Sequence, residues 1–337
     1  MTVSILFSGS TSETFVVQTG VKQGSVLAST LFSILLAAMK TLTQDCLPQS
    51  IGIQYQTGSN LFNLSHLRAR TKVILATITE LQCADDWAVV ARSKEDLQTN
   101  LNFFSQTYKS LGLTLNIAKT KVLHPLVPSK EDQHRQRTGN VEYFACLGSH
   151  FSQRADIDFE NQQKLCCASL AFGRLSHWVF NNHNIGTQGR LLVYKVVVIS
   201  TLLCGGETWV TYRKHLKNLE RQHQRFLWKI LNIKWEDCHT NVSVLTEANI
   251  FSVEALIIPH YLRWSGHCVG MPDICLPELL YPQLTKGERK QGGQNKCFKD
   301  ILKINIKKSG IDTRPCETVA QDRDNWQRLC QRGNVHF

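Results

Sequence analysis

The sequence predicts an α+β chain, and three observations carry that prediction. As far as about residue 150, short apolar runs come in pairs around polar or glycine-bearing turns, the pattern of antiparallel hairpins. Two helical segments stand among them, and beyond about Asp156 the apolar spacing is helical to the end. In order, residues 3–7 and 15–18 flank a Gly-Ser-Thr-Ser stretch and read as a hairpin, and residues 20–24, Gly-Val-Lys-Gln-Gly, as a loop. Residues 27–39 form a helix with so few polar positions that it should be largely buried. Residues 51–55 and 61–64 make a second hairpin, and residues 78–83 and 87–91 a third, with Asp85 and Asp86 at its turn. Ser93 is placed to cap a helix, with Asp96 at the capping-box position. Leu97, Leu101, Phe104, Tyr108 and Leu111 give that helix one apolar face, and Gly112 ends it. Short strands follow at 113–115, 120–123 and 142–147, around a polar loop over 128–140.

Helices then take over. Leu165, Leu170 and Leu175 mark one; Leu192, Val196 and Leu203 a second; Leu216, Leu219, His223, Phe226 and Ile230 a third. Thr240 and Ser252 read as N-caps of two more, the second running to Met271 ahead of Pro272. A Gly-, Lys- and Gln-rich segment, 285–296, leads to two terminal helices near 298–309 and 317–330.

A chain of 337 residues with 42% hydrophobic content has the means to build more than one folded domain. Its net charge of +11 favours a polyanionic partner, RNA, DNA or an acidic membrane surface. No apolar run approaches the roughly 18 residues that cross a bilayer, and residues 1–10 lack the basic start and cleavage site of a secretory signal. The expected compartment is therefore nucleus or cytoplasm. The 12 cysteines include no C-x-x-C pair, which suits free thiols in a reducing compartment. Cys238, His239, His267, Cys268 and Cys275 fit no common zinc spacing.

The chemistry concentrates in Leu81-Gln82-Cys83-Ala84-Asp85-Asp86-Trp87. Adjacent carboxylates at a hairpin tip can hold divalent metal for nucleotidyl transfer, but a two-metal site needs carboxylates from more than one backbone segment. An ordinary polar turn also accounts for two aspartates. Upstream of Asp85 the only acids are Glu13, Asp45 and Glu80. From Tyr281 to Phe337 there are 12 Lys/Arg against 6 Asp/Glu, with Lys286, Arg289, Lys290 and Lys296 in the Gly-rich segment and Arg263 on the helix before it. Such a run serves either as a phosphate contact or as a solvated linker.

These motifs, in their order, resemble the palm of reverse transcriptases: Gly20-Val21-Lys22-Gln23-Gly24, then Cys83-Ala84-Asp85-Asp86, then Gly112-Leu113-Thr114-Leu115-Asn116 with Lys119, then Phe144-Ala145-Cys146-Leu147-Gly148-Ser149. Gly206-Glu207-Thr208-Trp209, Leu262-Arg263-Trp264-Ser265-Gly266-His267 and Gly292-Gly293-Gln294 extend the likeness to the C-terminal region of LINE-type (non-LTR), RTE-like retrotransposon proteins. The resemblance implies a partial palm over residues 1–150, a thumb-like helical region over 151–235 and a basic helical domain over 236–337. It implies RNA-directed DNA polymerisation with Mg²⁺ on Asp85 and Asp86, and an RNA template and DNA primer as partners. It further implies nucleotide and template contacts from Gly20, Gln23, Gly24 and Lys119, and nucleic-acid contacts from Arg263, Lys286, Arg289, Lys290 and Lys296. No membrane partner is expected.

The family carries a further catalytic aspartate ahead of the Gln-Gly loop, and residues 1–19 hold none. The expectation is a truncated, catalytically incomplete chain, with a non-catalytic nucleic-acid-binding protein as the alternative. Departures inside the motifs point the same way. Cys83, Cys146 and Cys204 stand where aromatic residues are usual, Ser29 for proline, and Trp228 and Gly270 for arginine.

Overall fold

A computed structural model describes residues 2–16, 26–44, 51–56, 73–84, 86–124, 141–272, 275–277, 296, 298–312 and 316–333. The chain divides into two compact units: Met1–Ile53 with Thr77–Lys119, and Gln54–Ala76 with Thr120–Phe337. Among the described residues every sheet is two-stranded, and helices are the larger part of the regular structure of this α+β chain.

The N-terminal unit opens with nested hairpins. Thr2–Val3 (β1) pairs with Phe15–Val16, while Leu6–Phe7 (β2) pairs with Ser10–Thr11 (β3) around Ser8 and Gly9. Both turn residues have positive φ, the geometry that matches strand twist in a two-residue turn. The second half of the predicted hairpin therefore begins at Ser10, before the Phe15–Val16 strand (β4). Val26–Gln44 (α1) follows. It is not the buried helix the composition predicts: Leu27, Leu31 and Ile34 are 67%, 51% and 60% exposed. This helix packs chiefly on Lys94–Ser110 (here α2), and Leu35, Leu36 and Met39 are the side chains it gives to the small core there.

Ile51–Gln56 (β5) is the sheet neighbour of Val73–Ile78 (β6), where the sequence had suggested residues 61–64; these lie outside the described residues, as does 128–140. Glu80–Cys83 (β7) and Asp86–Val89 (β8) form the third hairpin. Helix α2 starts as predicted, Ser93 accepting the backbone N–H of Asp96. It ends in paired bonds, Gly112 N–H to the Lys109 carbonyl and Leu113 N–H to that of Tyr108, with Gly112 at φ +77°. Residues 113–116 are irregular, not a strand, and the predicted strand at 120–123 is reduced to one bridge, Val141 N–H to the Val122 carbonyl. Leu113 and Leu115 go instead to the small core of Met39, Phe104 and Tyr108.

In the second unit the hairpin of Tyr143–Cys146 (β9) and Ser149–Ser152 (β10) comes next. Asp158–Leu175 (α3) then passes into a π-helical turn over Ser176–Phe180. Thr187–Val193 (α4), a second π stretch at Tyr194–Ile199 and Ser200–Leu202 (α5) are consecutive. Arg213–Leu231 (α6), Asn241–Ala248 (α7), Val253–Val269 (α8), Phe298–Lys308 (α9), Cys316–Gln321 (α10) and Arg323–Gly333 (α11) complete it. Thr240 and Ser252 cap as predicted. The predicted last helix is two, because the Asp322 carboxylate accepts the N–H groups of Asp324 and Asn325 and starts a new one.

The core of this unit holds Tyr194, Tyr261, Leu191, Leu202, Leu219, Leu227, Ile257 and Leu262, with Phe180, Phe172 and Phe226 stacked at 4.3 and 4.5 Å. The face of α6 is as the spacing predicts. Two others are not. In α3 the buried apolar residues are Ala168 and Phe172 while Leu170 is exposed, and Leu191, Tyr194 and Val198 are inside while Leu192 and Val196 face water. Residues 191–203 are apolar almost throughout, so amphipathicity selects no face, and the π stretch shifts the phase of a 3.6-residue repeat. No single helix among the described residues is long and apolar enough to cross a membrane.

Candidate nucleotidyl-transfer hairpin and its surroundings

Strands β7 and β8 pair Glu80 with Val89, Leu81 with Ala88, Gln82 with Trp87 and Cys83 with Asp86. Side chains alternate across a strand, so Glu80, Gln82, Trp87 and Val89 share one face. That face is held down. The Trp87 indole packs edge-on against Phe104 at 4.2 Å and tilted over Tyr108 at 5.4 Å, and its Nε1–H donates to Glu80 at 2.7 Å. A slip of one residue would turn Trp87 out and Asp86 in, so this anchoring sets the register. Asp86 consequently lies exposed on the opposite face, opposite Cys83, at the end of the hairpin. Ala84 precedes the turn at φ +52°, a left-handed conformation a β-carbon disfavours by about 1 kcal/mol.

Glu80 is committed to Trp87 on the anchored face. Burial, and then the Glu80 charge, push the Tyr108 hydroxyl up to about 12. Lys119 sits at the surface in a turn whose Asn116 accepts the Lys119 backbone N–H on both its carbonyl and its side-chain oxygen, at 3.1 Å each. Gly20, Gln23, Gly24 and Asp85 lie outside the described residues, as do Lys286, Arg289 and Lys290. Among the described residues no group of three or more His, Cys, Asp or Glu is placed to hold a metal ion. Among the described residues the hairpin contributes Asp86, and Mg²⁺ demands near-octahedral oxygen ligation. The described donors do not make that cage.

In the second unit the β9–β10 hairpin turns on Leu147 and Gly148, both at positive φ. It is fastened to α3 by groups the sequence did not single out. Buried Glu160 accepts the His150 backbone N–H at 2.8 Å and lies 3.1 Å from its Nδ1; buried Lys164 donates to the Gly148 carbonyl at 2.8 Å and stands 3.6 Å from Glu160. Tyr143 stacks on Phe159 at 3.8 Å. The only signal was an acid and a lysine four apart on one helix, which usually marks a solvated pair.

Near the start of α6, Lys214 and His215 hydrogen-bond to Asp158 and hold its carboxyl below the usual range. Tyr194 and His223, fully buried, meet at 2.7 Å, and burial holds the imidazole below its ordinary value. Arg263 is exposed on α8. The backbone N–H of Lys296 donates to the Tyr212 hydroxyl at 3.0 Å, with its ammonium 5.9 Å from that ring. Of the zinc candidates, Cys238 is exposed, Cys268 buried and Cys275 half-buried.

Residues 2–151, a little under half of the chain, match the family model of the reverse transcriptase, an RNA-dependent DNA polymerase. This stretch carries the sequence signature of a reverse-transcriptase domain, and the β7–β8 hairpin lies inside it. No curated protein and no solved structure matches the chain.

Proposed function

We propose that the chain is the reverse-transcriptase portion of a LINE-type, RTE-like retrotransposon protein. Residues 1–150 form a partial palm, 151–235 a thumb-like region and 236–337 a basic helical domain. One observation carries the reading: within the family-matched stretch, the β7–β8 hairpin is fixed on α2 by Trp87 and holds Asp86 out on its free face. The reaction is attack of a primer 3′-hydroxyl on the α-phosphate of a dNTP, the new P–O bond forming as the bond to pyrophosphate breaks, along an RNA template. The family expectation is Mg²⁺ with Asp85 and Asp86 as ligands. Gly20, Gln23 and Gly24 approach nucleotide and template, Lys119 the incoming phosphates, and Arg263, Lys286, Arg289, Lys290 and Lys296 the nucleic acid.

Residues 1–19 contain no aspartate to complete such a site, so these 337 residues by themselves bind nucleic acid without extending a primer. Extension of oligo(dT) on poly(rA) with dTTP and Mg²⁺ tests this. No product is expected. Product that Asp86→Asn abolishes would overturn the incompleteness while sustaining the family reading. A second reading, a nucleic-acid-binding protein without catalysis, draws support from the +11 charge. Charge reversal at Arg289 and Lys290 should then weaken RNA binding, and unchanged affinity would remove that support.

A further inference from the structure

Helix α6 carries six cations, Arg213, Lys214, Lys217, Arg221, Arg225 and Lys229, against one acid, Glu220. That acid is already engaged: it accepts the Val253 backbone N–H at 2.7 Å and the Gln224 amide at 3.0 Å. The first two cations are engaged as well, Arg213 with Glu254 and Lys214 with Asp158. Lys217, Arg221, Arg225 and Lys229 are different, the last having only the Phe172 ring, 5.9 Å from its ammonium. All four are exposed, and none forms an ion pair with a described residue. Each follows the last by four residues, so they line one ridge at steps of about 6 Å.

Like charges at this spacing destabilise a helix, and three such pairs in succession persist here although the one acid of the helix, Glu220, is turned to Val253 and Gln224. An external polyanion relieves that repulsion. A lipid surface is a poor fit, because the apolar face of α6, with Leu219, Phe226, Leu227 and Ile230, is closed inside the core and has nothing left to insert. A nucleic-acid strand fits the spacing. With roughly 3.4 Å of axis per phosphate, the ridge supplies one cation for about every second phosphate. Just past the helix, Trp235 is 88% exposed beside Lys234, an indole with an open face.

We propose that the exposed ridge of α6 is a phosphate track for a nucleic-acid strand, with Trp235 stacking on an unpaired base at its end. This stands on the helical unit alone, so it survives or fails apart from the polymerase reading. The probe is a labelled 20-nucleotide oligouridylate, with a 20-base-pair DNA duplex as the second arm, titrated with the full chain across a salt series. The combined substitution Lys217→Gln, Arg221→Gln and Arg225→Gln should weaken oligouridylate binding at least tenfold near 0.1 M salt. It should also flatten log K against log salt by about 2, at roughly 0.7 per lost phosphate contact. Trp235→Ala should weaken the single strand about fivefold or more and leave the duplex unchanged. Equal losses on both arms would remove the stacking half and keep the track.

An unaltered salt slope in the combined variant overturns the proposal, as does ridge-dependent binding to phosphatidylserine vesicles without binding to either oligonucleotide. Circular dichroism checks the fold. Should the combined variant misfold, Arg221→Gln and Arg225→Gln singly carry the same test, each flattening the slope by about 0.7.

Discussion

The two units of this chain meet the same demand, burying an apolar face, with unequal results. The helical unit closes Tyr194, Tyr261 and many of its leucines and isoleucines into one continuous core. In the N-terminal unit the buried cluster is Met39, Phe104 and Tyr108, while Leu6, Phe7, Leu27, Leu31 and Ile34 stand in water. Local quality does not explain the contrast. Helix α2 is capped at both ends as well as α7 or α8, and the β7–β8 register is fixed by an aromatic anchor. The difference lies in what each element meets. A helix buries a stripe against several neighbours, whereas a lone two-stranded hairpin offers too little surface to cover a helix. Sound local structure therefore does not by itself build a core.

If that contrast is right, substitutions should weigh very differently in the two units. The largest effect is expected at Trp326, whose indole donates to the Leu262 carbonyl at 2.8 Å and fills the space over Gly266, where a β-carbon would come within 2.3 Å of it. Trp326→Ala should destabilise the helical unit by about 3–5 kcal/mol, read as lost amide-exchange protection in α8 and α11. A loss confined to below 1 kcal/mol would mean that this core is looser than its burial implies. Next comes Tyr261→Phe, which removes a 2.7 Å hydrogen bond to the Trp209 carbonyl and should cost about 1 kcal/mol. Smallest is Leu31→Gln on the exposed side of α1: a change within about 0.5 kcal/mol is expected, with improved solubility. A loss as large as that at Trp326 would show that the side chain is covered in solution and would break the comparison.

The two units should also differ at the acid end of the pH scale, while burial raises tyrosines in both and so gives both an alkaline limit. His223 is held below its ordinary value by burial, with Glu220 opposing, and His260 is lowered likewise by burial. Below about pH 6.5 the unfolded chain takes up protons that the folded chain resists, so the helical unit loses stability as pH falls. Trp87 apart, every tryptophan belongs to that unit, so urea midpoints from indole emission should drop between pH 7.5 and 5.5, less so in His223→Gln. In the N-terminal unit Tyr108 keeps its proton to about 12. From about pH 10 the unfolded chain ionises first, and stability declines as pH rises toward 12. Burial raises Tyr194 and Tyr261 of the helical unit as well, so the check is Tyr108→Phe: an ultraviolet titration whose late-ionising component is undiminished in that variant would contradict this.

What the sequence determined by itself was local. Ser93, Thr240 and Ser252 cap their helices because a hydroxyl satisfies a backbone N–H two or three residues on, and Gly112 ends α2 because it tolerates a positive φ. The order of motifs around Asp85 and Asp86 was legible too, and residues 2–151 match the reverse-transcriptase family. Tertiary structure decided which faces were buried and which charges were engaged. The apolar helix α1 looked like core and lies half in water, Leu192 and Val196 gave way to Leu191 and Tyr194, and Glu160 with Lys164 fastens a hairpin instead of facing solvent. On α6 the composition gave six cations, but only the fold shows that Arg213 and Lys214 are paired and that the next four form no ion pair with a described residue. Caps and turns are settled by atoms a few residues apart in the chain. Burial and pairing depend on neighbours brought in from far along it, and a single sequence does not record which neighbours those will be.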